Sequence, residues 1–225
     1  MKSMFCPDEP IVHIGIIDRK GDQMWNGVQT GNDGMSDHWN RANGQQLSLY
    51  TYTNAEEVEL VVTGKSLGRK QNVKDPKSRN QIRWNNIGYQ PGYIEAIAFN
   101  NGKVVARHKI ETTGQAIKLV AESDNAQWKA DGMDLQHIRI TAVDNKGRRV
   151  PVATDEVTFS VEGSASIVGV INGDINSNEM TVGNKRSLFN GTCTVILRSD
   201  RTPGKVTVTA TSANLKSVIL KLQTK

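Results

Sequence analysis

The sequence predicts an all-β chain of two consecutive β-sandwich domains. Short apolar runs alternate with polar residues at period two: Val58, Leu60 and Val62 share one face, Glu57 and Glu59 the other. Gly, Asn, Asp and Pro punctuate the chain at short intervals, as in Asn100-Asn101-Gly102-Lys103, Asp144-Asn145-Lys146-Gly147 and Pro203-Gly204. No segment holds a three-to-four-residue apolar period over three turns, so no amphipathic helix is expected.

In chain order, the first half offers VELVV as a half-buried strand, followed by a Thr63-Gly64-Lys65-Ser66 turn and a basic return strand. Trp84 alternates inward within RWNNIGY. YIEAIAF (93–99) and KVVARHKI (103–110) form a hairpin through Asn101-Gly102. A boundary is expected at Glu111-Thr112-Thr113-Gly114, giving domains 1–113 and 114–225. After it come AIKLVAES (116–123) and alternating runs at Val157/Phe159/Val161, Cys193/Val195/Leu197, Val206/Val208/Ala210 and Val218/Leu220/Leu222. That number of strands in about 110 residues suits one immunoglobulin-like domain. Residues 18–45 stand apart as a long polar loop rich in Gly, Asn and Asp, a kind of loop that is often functional.

Bulk properties narrow the function classes. The chain has 225 residues, a net charge of +5, 37% hydrophobic and 23% charged residues. Its apolar runs fall short of the ~20 residues that cross a bilayer, so no membrane insertion is expected. The opening MKSMFCPDEP lacks an apolar core and does not form a complete signal peptide. Lys65, Arg69, Lys70, Lys74, Lys77, Arg79 and Arg83 make a basic stretch opposed only by Asp75. With no aromatic residue interleaved before Trp84, it reads as a solvated loop and strand face and not as a nucleic-acid surface. Cys6 and Cys193 fall in different domains, as two unpaired thiols.

The chemical motifs in the sequence each have a blander reading. Gly64-Lys65-Ser66 spells the end of a phosphate loop, but the position of that loop's first glycine holds Glu59, and no helical stripe follows. Asp174, Asn176 and Asn178 match the first half of a calcium loop. The required Gly and final Glu are replaced by Glu179 and Lys185, so an Asx-rich turn is expected. His13, His38, His108 and His137 have no metal-ligand spacing, and Glu57 and Glu59 are neighbours on one strand face, unlike a glycosidase acid–base pair across a cleft. No metal and no cofactor is expected. The sequon Asn190-Gly191-Thr192 carries no weight without a secretory context.

The candidate contact residues lie in the polar loop: Trp25, Asp37, His38, Trp39 and Asn40. Aromatic faces beside amides and carboxylates can stack on sugars and hydrogen-bond them. The same tryptophans can instead plug the loop onto its sandwich or onto an adjoining domain, since large aromatics are mostly buried.

Several segments together resemble one family. TYTNAEEVELVVTGKSLGRK (51–70) resembles the strand-turn-strand of a C-terminal domain in family 2 glycoside hydrolases of the β-galactosidase type. The turn there commonly reads Asn-Gly-Lys-Ser-Leu-Gly; Thr63 replaces the Asn here. Trp84, Tyr89, Pro91-Gly92 and Thr112-Thr113-Gly114 match that domain's closing strands, and His38-Trp39-Asn40 its opening motif. The second half is similar to the bacterial immunoglobulin-like domain that often follows. It has an ADG-x-DL opening at 130–135, a D-x-x-G-x-x-VP turn at 144–151, GVINGD (169–174) and RSLFNGTCTVIL (186–197).

The family's catalysis rests on two glutamates of a TIM barrel that would lie N-terminal to these residues. No segment here matches that barrel, so no catalytic residue carries over. The resemblance implies a non-catalytic accessory region that packs on the barrel of the same polypeptide and shapes its cleft. It also implies an exported, periplasmic or cell-surface, carbohydrate-degrading enzyme. Two other classes stand beside it: a module binding oligo- or polysaccharide through Trp25 and Trp39, and a cell-surface adhesion protein.

Overall fold

The computed structural model describes residues 6, 8–19, 24, 25, 28, 29, 33–73 and 80–225. Lys74, Lys77 and Arg79 of the basic stretch lie outside them. The chain divides into two compact units, Met1–Thr112 and Thr113–Lys225. The described residues contain strands and turns but no helix.

The first unit holds β1 (Val12–Arg19), β2 (Met24–Trp25), β3 (Val28–Gln29), β4 (Gly34–Ser36), β5 (Gln46–Thr53), β6 (Glu57–Val62), β7 (Lys65–Gln71), β8 (Gln81–Gly88), β9 (Tyr93–Asn100) and β10 (Lys103–Glu111). Two four-stranded antiparallel sheets form, in the orders β4-β1-β5-β8 and β10-β9-β6-β7, while β2 and β3 pair with each other. Period-two alternation puts Ile14 and Ile16, Leu47 and Leu49, Val58 and Leu60, Ile82 and Trp84, and Ile94 and Ala96 into one shared core. Buried Thr51 fits that core because its hydroxyl accepts the Trp84 indole N–H at 3.0 Å.

The Thr63-Gly64 turn has φ of 46° and 84°, and Val62 pairs with Lys65. Two positive φ values are what a two-residue type I′ hairpin requires. Asn101-Gly102 repeats the geometry between β9 and β10, with φ of 48° and 74°. Strand β7 is exposed along its whole length and forms a sheet edge. Leu67 and Gly68 together oppose Leu60, a bulge at which Gly68 takes φ 92°. Charge and a bulge discourage further strand pairing at this edge.

The expected single loop over 18–45 needs correction. Strand β1 runs into it as far as Arg19, and β2, β3 and β4 lie within it. Strand β4 joins the sheet by pairing Ile16 with Ser36 and Ile17 with Met35. An edge strand of three residues is held by backbone bonds and needs no hydrophobic period, so composition hid it.

The second unit holds β11 (Lys118–Ser123), β12 (Leu135–Val143), β13 (Glu156–Gly163), β14 (Ala165–Ile171), β15 (Lys185–Ser187), β16 (Thr192–Ser199), β17 (Lys205–Thr211) and β18 (Val218–Gln223). Its sheets run β11-β12-β16-β14 and β15-β13-β17-β18, all antiparallel. Ile138, Ile140, Phe159, Val195, Leu197 and Val208 fill the space between them, with Trp128 and Cys193. Both units are therefore β-sandwiches of the expected all-β class.

Between β14 and β15 the chain makes consecutive Asx turns: Asp174 N–H donates to Asn172 Oδ1 at 3.0 Å, and Asn176 N–H to Asp174 Oδ1 at 2.9 Å. Nearly buried Arg186 anchors this loop, donating to Asn172 Oδ1 (2.8 Å) and the Glu179 carbonyl (3.0 Å). The Glu179 carboxylate accepts the Ser187 hydroxyl at 2.6 Å and lies 3.3 Å from Arg186 Nε.

Candidate functional site

Four of the five candidate contact residues fall in the segment 37–40, which leads from β4 towards β5. Trp39 is fully buried, in the first unit's core. Its indole N–H donates to the Gln90 carbonyl at 3.1 Å, and its ring meets Tyr89 edge-on at 5.3 Å. Its backbone carbonyl accepts the Thr112 hydroxyl at 3.2 Å. No ring face remains for a sugar, so Trp39 is a core plug, and its candidacy as a contact residue is corrected accordingly. Trp25 lies in β2, its side chain outside the described set.

Around the buried ring the polar residues converge on Arg41. Its guanidinium donates to Asp18 Oδ1 at 2.6 Å, to Ser36 Oγ at 2.5 Å and to the Asn40 carbonyl at 2.9 Å. The His38 ring lies against it, Nδ1 at 2.6 Å from Nη1. Asn40 N–H also donates to His38 Nδ1, at 3.3 Å, and His38 Nε2 lies 2.9 Å from the same Arg41 Nη1. The Arg41 side chain is almost buried, and burial lowers its pKa while Asp18 works against that. The network ties the segment to β1 through Asp18 and to β4 through Ser36, and Arg41, Ser36 and Asp18 were not visible as its members in the sequence. Asp37 is exposed, His38 and Asn40 half-buried.

The remaining chemical candidates are also accounted for. Ser66 of the false phosphate loop donates to Glu59 at 2.6 Å. Arg69 lies 3.4 Å from Glu59 and 3.7 Å from Glu57, and the Gln71 amide donates to Glu57. Both carboxylates are thus engaged in cross-strand pairs on a sheet surface. Among the described residues no three His, Cys, Asp or Glu side chains are grouped to hold a metal. His13 and His108 are brought together from β1 and β10, ring centroids 4.4 Å apart.

Two tandem antiparallel β-sandwiches are the class that the fold defines. Comparison with known proteins supplies its family. Residues 119–221 match the glycoside hydrolase family 2 C-terminal domain 5, and residues 44–106 match a domain of unknown function, DUF4982. The chain is 38% identical over 186 residues to "Beta-galactosidase BoGH2A" of Bacteroides ovatus, covering 82% of this chain and 21% of that protein. It is 30% identical over 190 residues to a "Beta-glucuronidase" of Formosa agariphila, covering 83% of this chain and 19% of that protein. A crystal structure of a glycosyl hydrolase family 2 member from Bacteroides cellulosilyticus superposes with TM-score 0.91 at 31% identity, covering 100% of this chain and 29% of that one. The chain belongs to the C-terminal domains of family 2 glycoside hydrolases. It spans about a fifth of the length of these curated relatives.

Proposed function

We propose that these two sandwiches are a non-catalytic accessory region of a family 2 β-glycosidase, packing on the catalytic barrel of the same polypeptide. The observation that carries the reading is a mismatch in the second unit. Ile175, Met180 and Val182 are 96%, 76% and 73% exposed on one loop, yet Arg186 and Glu179 tie that loop down. A fixed loop presenting apolar side chains to water is suited to burial against another surface. Relatives about five times longer supply a candidate for that surface within one polypeptide. β-Galactosides and β-glucuronides are the substrate classes to try first, because the matched relatives bear those names. Export to the periplasm or cell surface is part of the same proposal, and cell fractionation tests it.

Turnover provides the main test. The chain alone is expected to leave nitrophenyl β-galactoside and β-glucuronide unhydrolysed. Hydrolysis that disappears when Glu57, Glu59 or any other carboxylate of this chain is replaced by its amide would defeat the accessory reading.

A further inference from the structure

The outer face of the β4-β1-β5-β8 sheet carries a strip of rings. Tyr50 and Tyr52 stand two residues apart on β5, so both point to that face, with centroids 6.0 Å apart and planes tilted by 40°. Strand β1 sets His13 opposite Tyr52 and Gly15 opposite Tyr50. His13 continues the strip to His108, whose Nδ1 accepts Ile14 N–H at 3.1 Å. On the other flank β8 sets Arg83 opposite Tyr50. Its guanidinium lies 5.5 Å from the Tyr50 ring centre and donates to the Tyr50 hydroxyl at 3.3 Å and to Asn85 Oδ1 at 3.1 Å. The Ser48 hydroxyl donates to the same oxygen at 3.1 Å.

Gly15 lets Met35 and Tyr52 close over β1: a Cβ there would come within 3.0 Å of Met35 Sδ and 3.4 Å of Tyr52 Cε2, and the Tyr52 hydroxyl donates to Met35 Sδ at 3.3 Å. Both tyrosines are half-buried, so part of each ring meets solvent, while His13, Arg83 and Asn85 are exposed.

The chemistry of this face selects its occupant. A protein interface core needs contiguous apolar area. Here the outward positions of β1, β5 and β8 are Tyr, His, Arg, Asn, Gln, Ser and Gly, apart from nearly buried Ile17, and Met35 of β4 adds one exposed aliphatic side chain. Rings alternating with planar hydrogen-bonding groups match a sugar chain, which presents C–H faces for stacking and hydroxyl rims for donors. Arg83 has no carboxylate partner among the described residues. Its fork can engage paired oxygens, whether two sugar hydroxyls or a uronate carboxylate.

We propose that this strip is a saccharide-binding surface: a glycan chain lies across β1, β5 and β8, stacked on Tyr50 and Tyr52, with its oxygens at Arg83 and Asn85. The inference goes beyond the accessory role and does not require an attached catalytic domain.

The test is affinity electrophoresis of the full chain in native gels containing a neutral β-galactan, xyloglucan or arabinoxylan, and in a separate gel containing polygalacturonate. Retardation is expected in at least one gel, and it should fall at least tenfold in apparent affinity for Tyr50→Ala/Tyr52→Ala. Tyr52→Phe keeps the ring and should retain binding. The neutral and uronate gels distinguish which oxygens Arg83 engages. Should the double variant fail to fold, Tyr50→Leu tests the same stacking. Absence of retardation in every gel overturns the proposal. So does retardation unchanged in the tyrosine variants: they leave net charge intact, so simple attraction of a basic chain to uronate would survive them. Neither outcome bears on the turnover assay, so the two readings fail separately.

Discussion

Asp144 offers the sharpest test of how the second unit holds itself together. It is fully buried at the turn after β12. One carboxylate oxygen accepts Lys146 N–H and Arg148 N–H, each at 2.9 Å. The other accepts Gly114 N–H at 3.0 Å, Arg148 Nε at 3.0 Å and Arg148 Nη2 at 2.7 Å. One side chain therefore closes the turn, fixes Arg148 and ties down the start of the unit.

Asp144→Ala leaves three backbone donors and a guanidinium without their acceptor. Removing one partner of a buried pair costs about 3–5 kcal/mol, and Arg148, which is partly exposed, can recover some hydration, favouring the lower end. For a unit of this size that lowers the melting temperature by roughly 10–20 °C. Urea unfolding followed by circular dichroism measures it, and a loss below about 1 kcal/mol would refute the reasoning.

The pH dependence has a definite sign. Burial alone would raise the Asp144 pKa, but the Arg148 hydrogen bonds and the N–H groups of Gly114, Arg148 and Lys146 hold it well below the usual carboxylate range. A folded-state pKa below the unfolded value gives stability that is full above about pH 4 and lost as pH falls through the folded value. The gap between wild type and Asp144→Ala should be equal at pH 7 and pH 5 and narrow below pH 4. A gap that widens in acid contradicts the assignment.

Other perturbations read other parts of the fold. Trp39→Ala should cost the first unit about 3–5 kcal/mol in urea unfolding, since it empties a core site and orphans the Gln90 carbonyl; a neutral outcome would return Trp39 to the surface. Gly191→Ala should destabilise by more than about 2 kcal/mol, because φ is 73° and the new Cβ would lie 2.2 Å from the Val150 carbonyl oxygen. Gly64→Ala, with φ 84° but open space around it, should cost only about 1 kcal/mol; equal melting losses for the two would undo the steric argument. Thr63→Asn should raise stability by about 0.5–1 kcal/mol, because a β-branched residue at φ 46° is strained where Asn is tolerated. Cys193 is buried, which pushes its thiol pKa up to about 12, so native protein at pH 8 should give one reactive thiol, Cys6, to a disulfide reagent and two after denaturation.

The strands were legible where burial is one-sided. Val58, Leu60 and Val62 face the core because a half-buried strand must alternate, and the glycine turns follow from the need for positive φ. Strand β4 was illegible because its three residues are held by backbone pairing to β1, a contact that leaves no side-chain period. Trp39 was legible as either a sugar platform or a plug, and its burial makes it the plug. Its polar neighbours suggested an exposed binding loop, whereas Arg41 bonds to His38, Asn40, Asp18 and Ser36. Nothing in Asp37-His38-Trp39-Asn40 tells the two cases apart, since Asp18 and Gln90, which decide it, are distant in sequence.

The tyrosine strip shows the same limit from the opposite side. Tyr50 and Tyr52 read locally as ordinary strand residues, and either could have paired with aliphatic neighbours. Their meaning comes from register: β1 supplies His13 and a glycine, β8 supplies Arg83. A one-residue slip of either strand would turn those side chains to the core face and place Ile14 or Ile82 beside the rings instead. The buried partners, Ile14, Ile16, Ile82 and Trp84, forbid that slip because it would empty the core. The hydrophobic pattern on one face of the sheet therefore fixes the polar-aromatic pattern on the other, and a surface of four strands can present one composed strip without any local motif to announce it.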